Sequence, residues 1–341
     1  MIPRQPFPSL NILKMPSENE GVKGETEMRL FDLHCDTLYR AFTENGSFND
    51  SRFHISYDRA GDIAPYIQCM AVWIPDEYRG EAAWELFSGC VDKLKQELEE
   101  GIAIQCRSSD DIRRLEASGG RGIVLTAEGG AVLGGKLERV RELSDAGVRM
   151  LTLTWNGANE LGDGVGVENA GGLTEFGRAV IPELEKNHII IDVSHASQRL
   201  FYDVAELSER PFVASHSDAM SITPHRRNLT DEQFCIIRQK GGIVGLNFCR
   251  DFLNKQATNA KMCDIIRNAE HFLALGGEKT VAIGGDLDGA DIPVDMRGIE
   301  SLPELYEMFL HHNYNEELVR DIFFNNALSF FSRYESGNSP V

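Results

Sequence analysis

Eight short apolar runs, most of them followed by a longer amphipathic stretch, constrain this chain more than any other feature. The runs fall at 29–34 (RLFDLH), 66–73 (YIQCMAVW), 122–127 (GIVLTA), 149–154 (RMLTLT), 189–193 (IIIDV), 211–215 (PFVAS), 242–247 (GIVGLN) and 281–285 (VAIGG). Runs of this length and composition suit strands buried on both faces, as in a parallel sheet. Helical periodicity occupies 81–100, 108–118, 136–146, 174–187, 198–208, 231–240 and 259–275, and 301–312 and 315–333 close the chain. Gly122, Gly147 and Gly242, each just ahead of a strand, fit helix-to-strand turns. The alternation predicts an α/β fold, a (β/α)8 TIM-like barrel, with an open doubly wound sheet as the competitor.

A length of 341 residues would by itself suggest two domains. No linker, repeat or break in composition divides the chain, so the expectation is a flexible leader at 1–27, one barrel domain at 28–334 and a flexible tail at 335–341. Hydrophobic residues at 42% and charged residues at 26% fit a globular protein. The net charge of −19 argues against nucleic acid and anionic membrane surfaces as partners. No window approaches the roughly 18 apolar residues of a membrane helix, and the first residues lack the apolar run of a signal peptide. The seven cysteines are scattered without a C-x-x-C pair, which suits reduced thiols and a cytoplasmic location.

A barrel of this type carries its reactive groups at the C-terminal ends of its strands. Those positions hold His34 and Asp36, then Glu128, His195, His216, and Asp286 with Asp288. Every one is a histidine or a carboxylate. In His34-Cys35-Asp36, residues i and i+2 of an extended chain project to the same side and can grip one ion. Glu128, in TAEGGAVLGG, lacks the surroundings of a phosphate loop and is expected to point into the barrel mouth and bridge two cations. The three histidines with Asp36 and Glu128 make five ligands, more than one catalytic zinc requires, with Asp286 as a further carboxylate. Two Zn²⁺ ions sharing Glu128 are the economical count, with Mn²⁺, Fe²⁺ and Co²⁺ as alternatives. Such a pair holds a hydroxide between the ions and lowers the pKa of water, which predicts hydrolysis.

The segments FDLHCDT, TAEGG, RMLTLTWN, IDVSHAS, SHSDAMSITPHRRNLTD, GGIVGLNF and IGGDLDG, in this order, resemble the membrane (renal) dipeptidase family, the M19 metallopeptidases of the amidohydrolase superfamily. The resemblance implies a distorted (β/α)8 barrel and a zinc-dependent dipeptidase acting through a metal-bridging hydroxide. His34 and Asp36 would hold one zinc, His195 and His216 the other, and Glu128 both. Asp286 would take the proton of the hydroxide and pass it to the leaving amine, and Arg227 would bind the substrate carboxylate. The resemblance also implies tolerance of a D-residue at the C-terminal position, and favours a homodimer. One departure stands out: where animal members carry a histidine that helps bind the scissile carbonyl, this chain has Trp155 followed by Asn156, both expected at the substrate. Asp288 is expected to be structural. The alternatives are another hydrolase of the superfamily, acting on N-acyl amino acids, cyclic amides or lactones, and a barrel without catalysis.

Overall fold

The computed structural model describes residues 28–312 and 314–337. Seven strands form one continuous parallel path: β1 (Leu30–Cys35), β2 (Tyr66–Trp73), β4 (Arg121–Glu128), β5 (Val148–Thr152), β6 (Ile190–Asp192), β7 (Val244–Leu246) and β8 (Val281–Ile283). The order is β6-β5-β4-β2-β1-β8-β7, and a two-residue strand β3 (Ile104–Gln105) pairs with β4 off this path. The circle closes through 211–215, where Val213 makes one parallel bridge to Asp192 and Ala214 one to Val244. The expected sixth strand is thus reduced to a pair of bridges. Ser215, the next residue, donates its backbone N–H to the Asp192 carboxylate at 2.9 Å instead of to the backbone of a neighbouring strand.

Strand residues of the two faces separate into two apolar layers. One cluster takes Phe31 and Leu33, Ile67 and Cys69, Val124, Met150, Ile190, Val213, Ile243 and Ala282, so that every wall of the circle contributes to it. Phe324, Ala327, Phe330, Phe331 and Tyr334 of the C-terminal segment join the same cluster and plug the barrel floor. Residues of opposite parity, among them Met70, Leu125, Leu151, Ile191 and Val244, pack outward with the apolar stripes of the helices. This is the layered filling of a closed barrel.

Helices start where the sequence offers caps. Ser108 accepts from the Asp111 N–H ahead of Ser109–Ser118, and Thr230 from the Gln233 N–H ahead of Asp231–Gln239. The short helix Thr37–Thr43 after β1 was not expected from periodicity. The expected helix 315–333 is three pieces: Glu316–Arg320, a wide π turn Asp321–Asn325, and Asn326–Ser336. At that turn the adjacent residues Phe323 and Phe324 enter different apolar layers. The last helix also runs two residues past the expected end of the domain at 334; the rest of the expected tail, like the leader 1–27, lies outside the described residues apart from Gly337.

Phe31 is fully buried against Phe331 and Phe324, with ring centroids 5.0 and 6.2 Å away. Phe31→Ala should therefore lower stability by about 3–5 kcal/mol, measured as a shift in the chemical unfolding midpoint.

Candidate metal centre

The bulge in β1 decides how the site begins. Asp32 pairs with Gln68 but Cys35 pairs with Met70, so β1 holds one residue more than β2 over this stretch. The extra residue shifts the phase of the strand. Phe31 and Leu33 belong to the floor below it, while above it His34 meets both Asp36 and Glu128, the last residue of β4. His195 follows β6, His216 follows the 213–214 bridges, and Asp286 follows β8. All six side chains are buried.

They converge on one point. His34 Nε2 lies 3.5 Å from Asp36, 3.7 Å from Glu128 Oε2 and 3.8 Å from Asp286. The other Glu128 oxygen, Oε1, lies 3.0 Å from His195 Nε2 and 3.5 Å from His216 Nε2. The Nε2 atoms of His195 and His216 face each other at 3.1 Å. By proximity alone the ligand atoms form two overlapping groups, His34–Glu128–His216 and His34–Asp36–Asp286. These cross the expected pairing through His34. The two oxygens of Glu128 nevertheless separate a His34 side from a His195–His216 side.

Electrostatics give the cluster a deficit of positive charge. Burial pushes Glu128 well above the usual carboxylate range, against the pull of His34. Burial likewise raises Asp286 to about 6. Burial alone would lower His34, but Glu128, Asp36 and Asp286 outweigh it and bring the ring up to about 10. His195 and His216 go the other way, held well below their ordinary value by burial with His34 and Arg227 adding to it. Neutral imidazole is the ligating form. His34 Nε2 and Asp36 Oδ1 are buried without a hydrogen-bond partner, and buried polar atoms are normally paired. Imidazole nitrogens mixed with carboxylate oxygens fit a divalent transition metal.

A layer of polar groups beneath the ligands fixes their orientation, and sequence reasoning missed it. Asp192 accepts from Thr152 Oγ1 and Ser215 Oγ, both at 2.6 Å, and from the N–H groups of Ser194 and Ser215. Ser215 Oγ, its own proton given to Asp192, accepts from His216 Nδ1 at 2.7 Å and leaves Nε2 free for a metal. Asp32 plays the matching part across β1 and β8, accepting from the N–H groups of His34 and Gly285 at 3.0 Å. Asn247 donates to Asp286 Oδ2 at 3.0 Å and accepts from the Cys249 N–H. The available signal was a lone aspartate inside an apolar run, in RLFDLH and IIIDV, where an unpaired charge would be costly. His195 (φ 64°) and Asp286 (φ 55°) occupy the left-handed region, uncommon for residues other than glycine.

The remaining expected residues sit around this centre. Arg227 is buried, donates to the His216 carbonyl at 3.2 Å, stacks over Phe252 and forms no ion pair among the described residues. Asn156 Oδ1 accepts from His195 Nδ1 at 2.9 Å, which ties this residue to a ligand as well as to the cavity. Trp155 lies edge-on to Trp73, with centroids 5.0 Å apart. Asp288 accepts four hydrogen bonds, from Thr37, Arg40 and the N–H groups of His54 and Ile55, and so anchors the 54–55 loop. Cys35 is buried and its thiol is pushed well up by burial. The centre opens into a cavity of about 720 Å³ that Asp36, Glu128, His195 and Asp286 line.

Comparison with known proteins supplies the family. The model of the membrane dipeptidase family (peptidase family M19) matches residues 23–339, and the chain belongs to that family. It is a metallo-dipeptidase, a hydrolase whose family implies a divalent metal. It is similar to the dipeptidase AC of family M19, at 29% identity and TM-score 0.85 over 90% of this chain and 99% of that one. A metallo peptidase from Rhodobacter sphaeroides, solved with a phosphinate mimic of L-Ala-D-Ala, matches at 28% identity with the same coverage and TM-score. An uncharacterised Klebsiella pneumoniae protein from the region 5′ of pqqA is 32% identical over 232 residues, 65% of this chain and 86% of that protein. Among the described residues no helix is long and apolar enough to cross a membrane.

If Asp192 orients His216 through Ser215, Asp192→Ala should weaken metal affinity about 10- to 100-fold, measured by competition with a chelator.

Proposed function

We propose that this chain hydrolyses small dipeptides with two Zn²⁺ ions bridged by Glu128. The observation that carries the reading is the division of the Glu128 oxygens, Oε2 toward His34 and Oε1 toward His195 and His216. His34 and Asp36 hold one ion in this reading, and His195 and His216 the other. Bound cations at such a cluster supply an activated water and a polarised substrate carbonyl. Asp286 accepts the proton of the attacking water and delivers it to the departing amine. Asn247 keeps the carboxylate of Asp286 aimed by its hydrogen bond to Oδ2.

Arg227 receives the C-terminal carboxylate of the dipeptide. Among the described residues this buried guanidinium has no carboxylate partner and its Nε is unpartnered, an unmet demand for an anion. The Rhodobacter sphaeroides relative binds a mimic of L-Ala-D-Ala, which brings L-Xaa-D-Xaa peptides into the substrate class proposed here. All seven cysteines are free, which supports a reducing compartment and the cytoplasm as its location. The homodimer is proposed on family resemblance.

Three measurements test this reading. Metal analysis should return two equivalents per chain; one equivalent contradicts the bridge. Asp286→Asn should lower kcat by about 10²- to 10⁴-fold with metal content unchanged. Arg227→Ala should raise KM for dipeptides, and Arg227→Lys should recover only part of the loss, because lysine lacks the forked donor geometry.

A further inference from the structure

Three aromatic side chains at the mouth take no part in the metal cluster. Tyr39 comes from the helix after β1, Trp73 ends β2, and Trp155 follows β5. They form a continuous wall: Tyr39 meets Trp73 at 4.9 Å and 73°, and Trp73 meets Trp155 at 5.0 Å and 64°. Both contacts have the edge-to-face geometry that aromatic pairs favour. Trp73 is the register partner of Glu128, so the wall begins beside the proposed bridging carboxylate. All three are only partly buried and line the same cavity as Asp36, Glu128 and Asp286.

Arg227 lies elsewhere. It lines an adjoining cavity of about 420 Å³ with Val165, His225 and Arg226, and the two cavities meet at Asn156, His195 and Phe252. A dipeptide with its carboxylate on Arg227 therefore crosses the junction at His195 and enters the aromatic cavity with its other residue.

We propose that the Tyr39–Trp73–Trp155 wall is the side-chain pocket for the N-terminal residue of the dipeptide and selects large apolar or aromatic residues there. The assignment rests on the placement of the substrate carboxylate at Arg227. Ring surface of this kind gains by covering apolar side chains and leaves an alanine side chain largely uncovered. Asp36, Asp251, Asp286, Asp288 and Asp291 line the same cavity with Arg40, so a lysine at the N-terminal position separates a preference for charge from one for apolar cover.

The test is steady-state kcat/KM of the metal-loaded full chain on Phe-Ala, Lys-Ala, Ala-Phe and Ala-Ala. Phe-Ala should exceed Ala-Ala about 10-fold or more, the scale of discrimination by an apolar pocket, while Ala-Phe stays within about 3-fold of Ala-Ala. Trp155→Ala should collapse the Phe-Ala to Ala-Ala ratio and leave the Ala-Phe to Ala-Ala ratio in place, whereas Trp155→Phe should keep most of the preference. Tyr39→Ala supplies a second variant should the first fail to fold. A flat wild-type ratio, an equal gain from Phe at the C-terminal position, a lead for Lys-Ala, or a ratio that survives both alanine variants overturns the pocket. Those outcomes leave hydrolysis intact, whereas no turnover of any peptide sinks the underlying site reading and the pocket with it.

Discussion

A carboxylate buried among three imidazoles sets the terms for the whole molecule. Glu128 is only 3% exposed, and burial favours its neutral form strongly. Within the protein, what opposes this is the positive charge of His34 and, at longer range, of Arg227. An ionised group in such a place needs hydrogen-bond donors or a partner of opposite charge to offset its lost hydration, and the groups nearest Glu128 are imidazoles. His34 in turn faces three carboxylates with one proton. A divalent metal, which the family implies, would meet this demand with more charge than one proton brings.

The passage from floor to site takes place within a few residues of each strand. In β4 the inward side goes from Val124 through Thr126 to Glu128, in β5 from Met150 to Thr152, and in β6 from Ile190 to Asp192. The period of two along a strand makes this succession possible, since alternate residues share a face. In β1 the bulge achieves the same result. Without the extra residue, the face that carries Phe31 and Leu33 would not carry His34 and Asp36 as well. The intermediate rung holds hydroxyls and aspartates, and its hydrogen bonds set which nitrogen of His216 faces the cations.

The sequence made the strand-end histidines and carboxylates legible because a parallel barrel has only one end where reactive groups gather. The H-x-D spacing and the C-terminal positions of Glu128, His195, His216 and Asp286 needed no knowledge of packing. Asp32, Asp192 and Asn247 were hidden for the opposite reason. Beyond the N–H two positions on, their partners lie up to 253 residues away, and the lone aspartate in an apolar run is the only local sign of such contacts. The reduction of 211–215 was hidden likewise, since the Ser215 N–H bonds to Asp192 instead of to the backbone of a neighbouring strand. Periodicity also gave no notice of the π turn at Asp321–Asn325, because one extra residue leaves the average spacing of apolar positions almost unchanged.

Trp155 stands where the aromatic side chains of the mouth meet the buried ligand network. Indole offers one N–H donor and no acceptor, so it is a poor replacement for a histidine that helps bind a carbonyl. The residue that follows, Asn156, bonds His195, while the Trp155 ring packs against Trp73 and lies 6.2 Å from the His195 ring. None of the three aromatic side chains hydrogen-bonds a proposed metal ligand among the described residues. The wall can therefore change residue by residue without loosening the buried network that orients the ligands. In the proposed reading, such a site keeps one reaction fixed at the strand ends and varies what it accepts through side chains outside the ligand network.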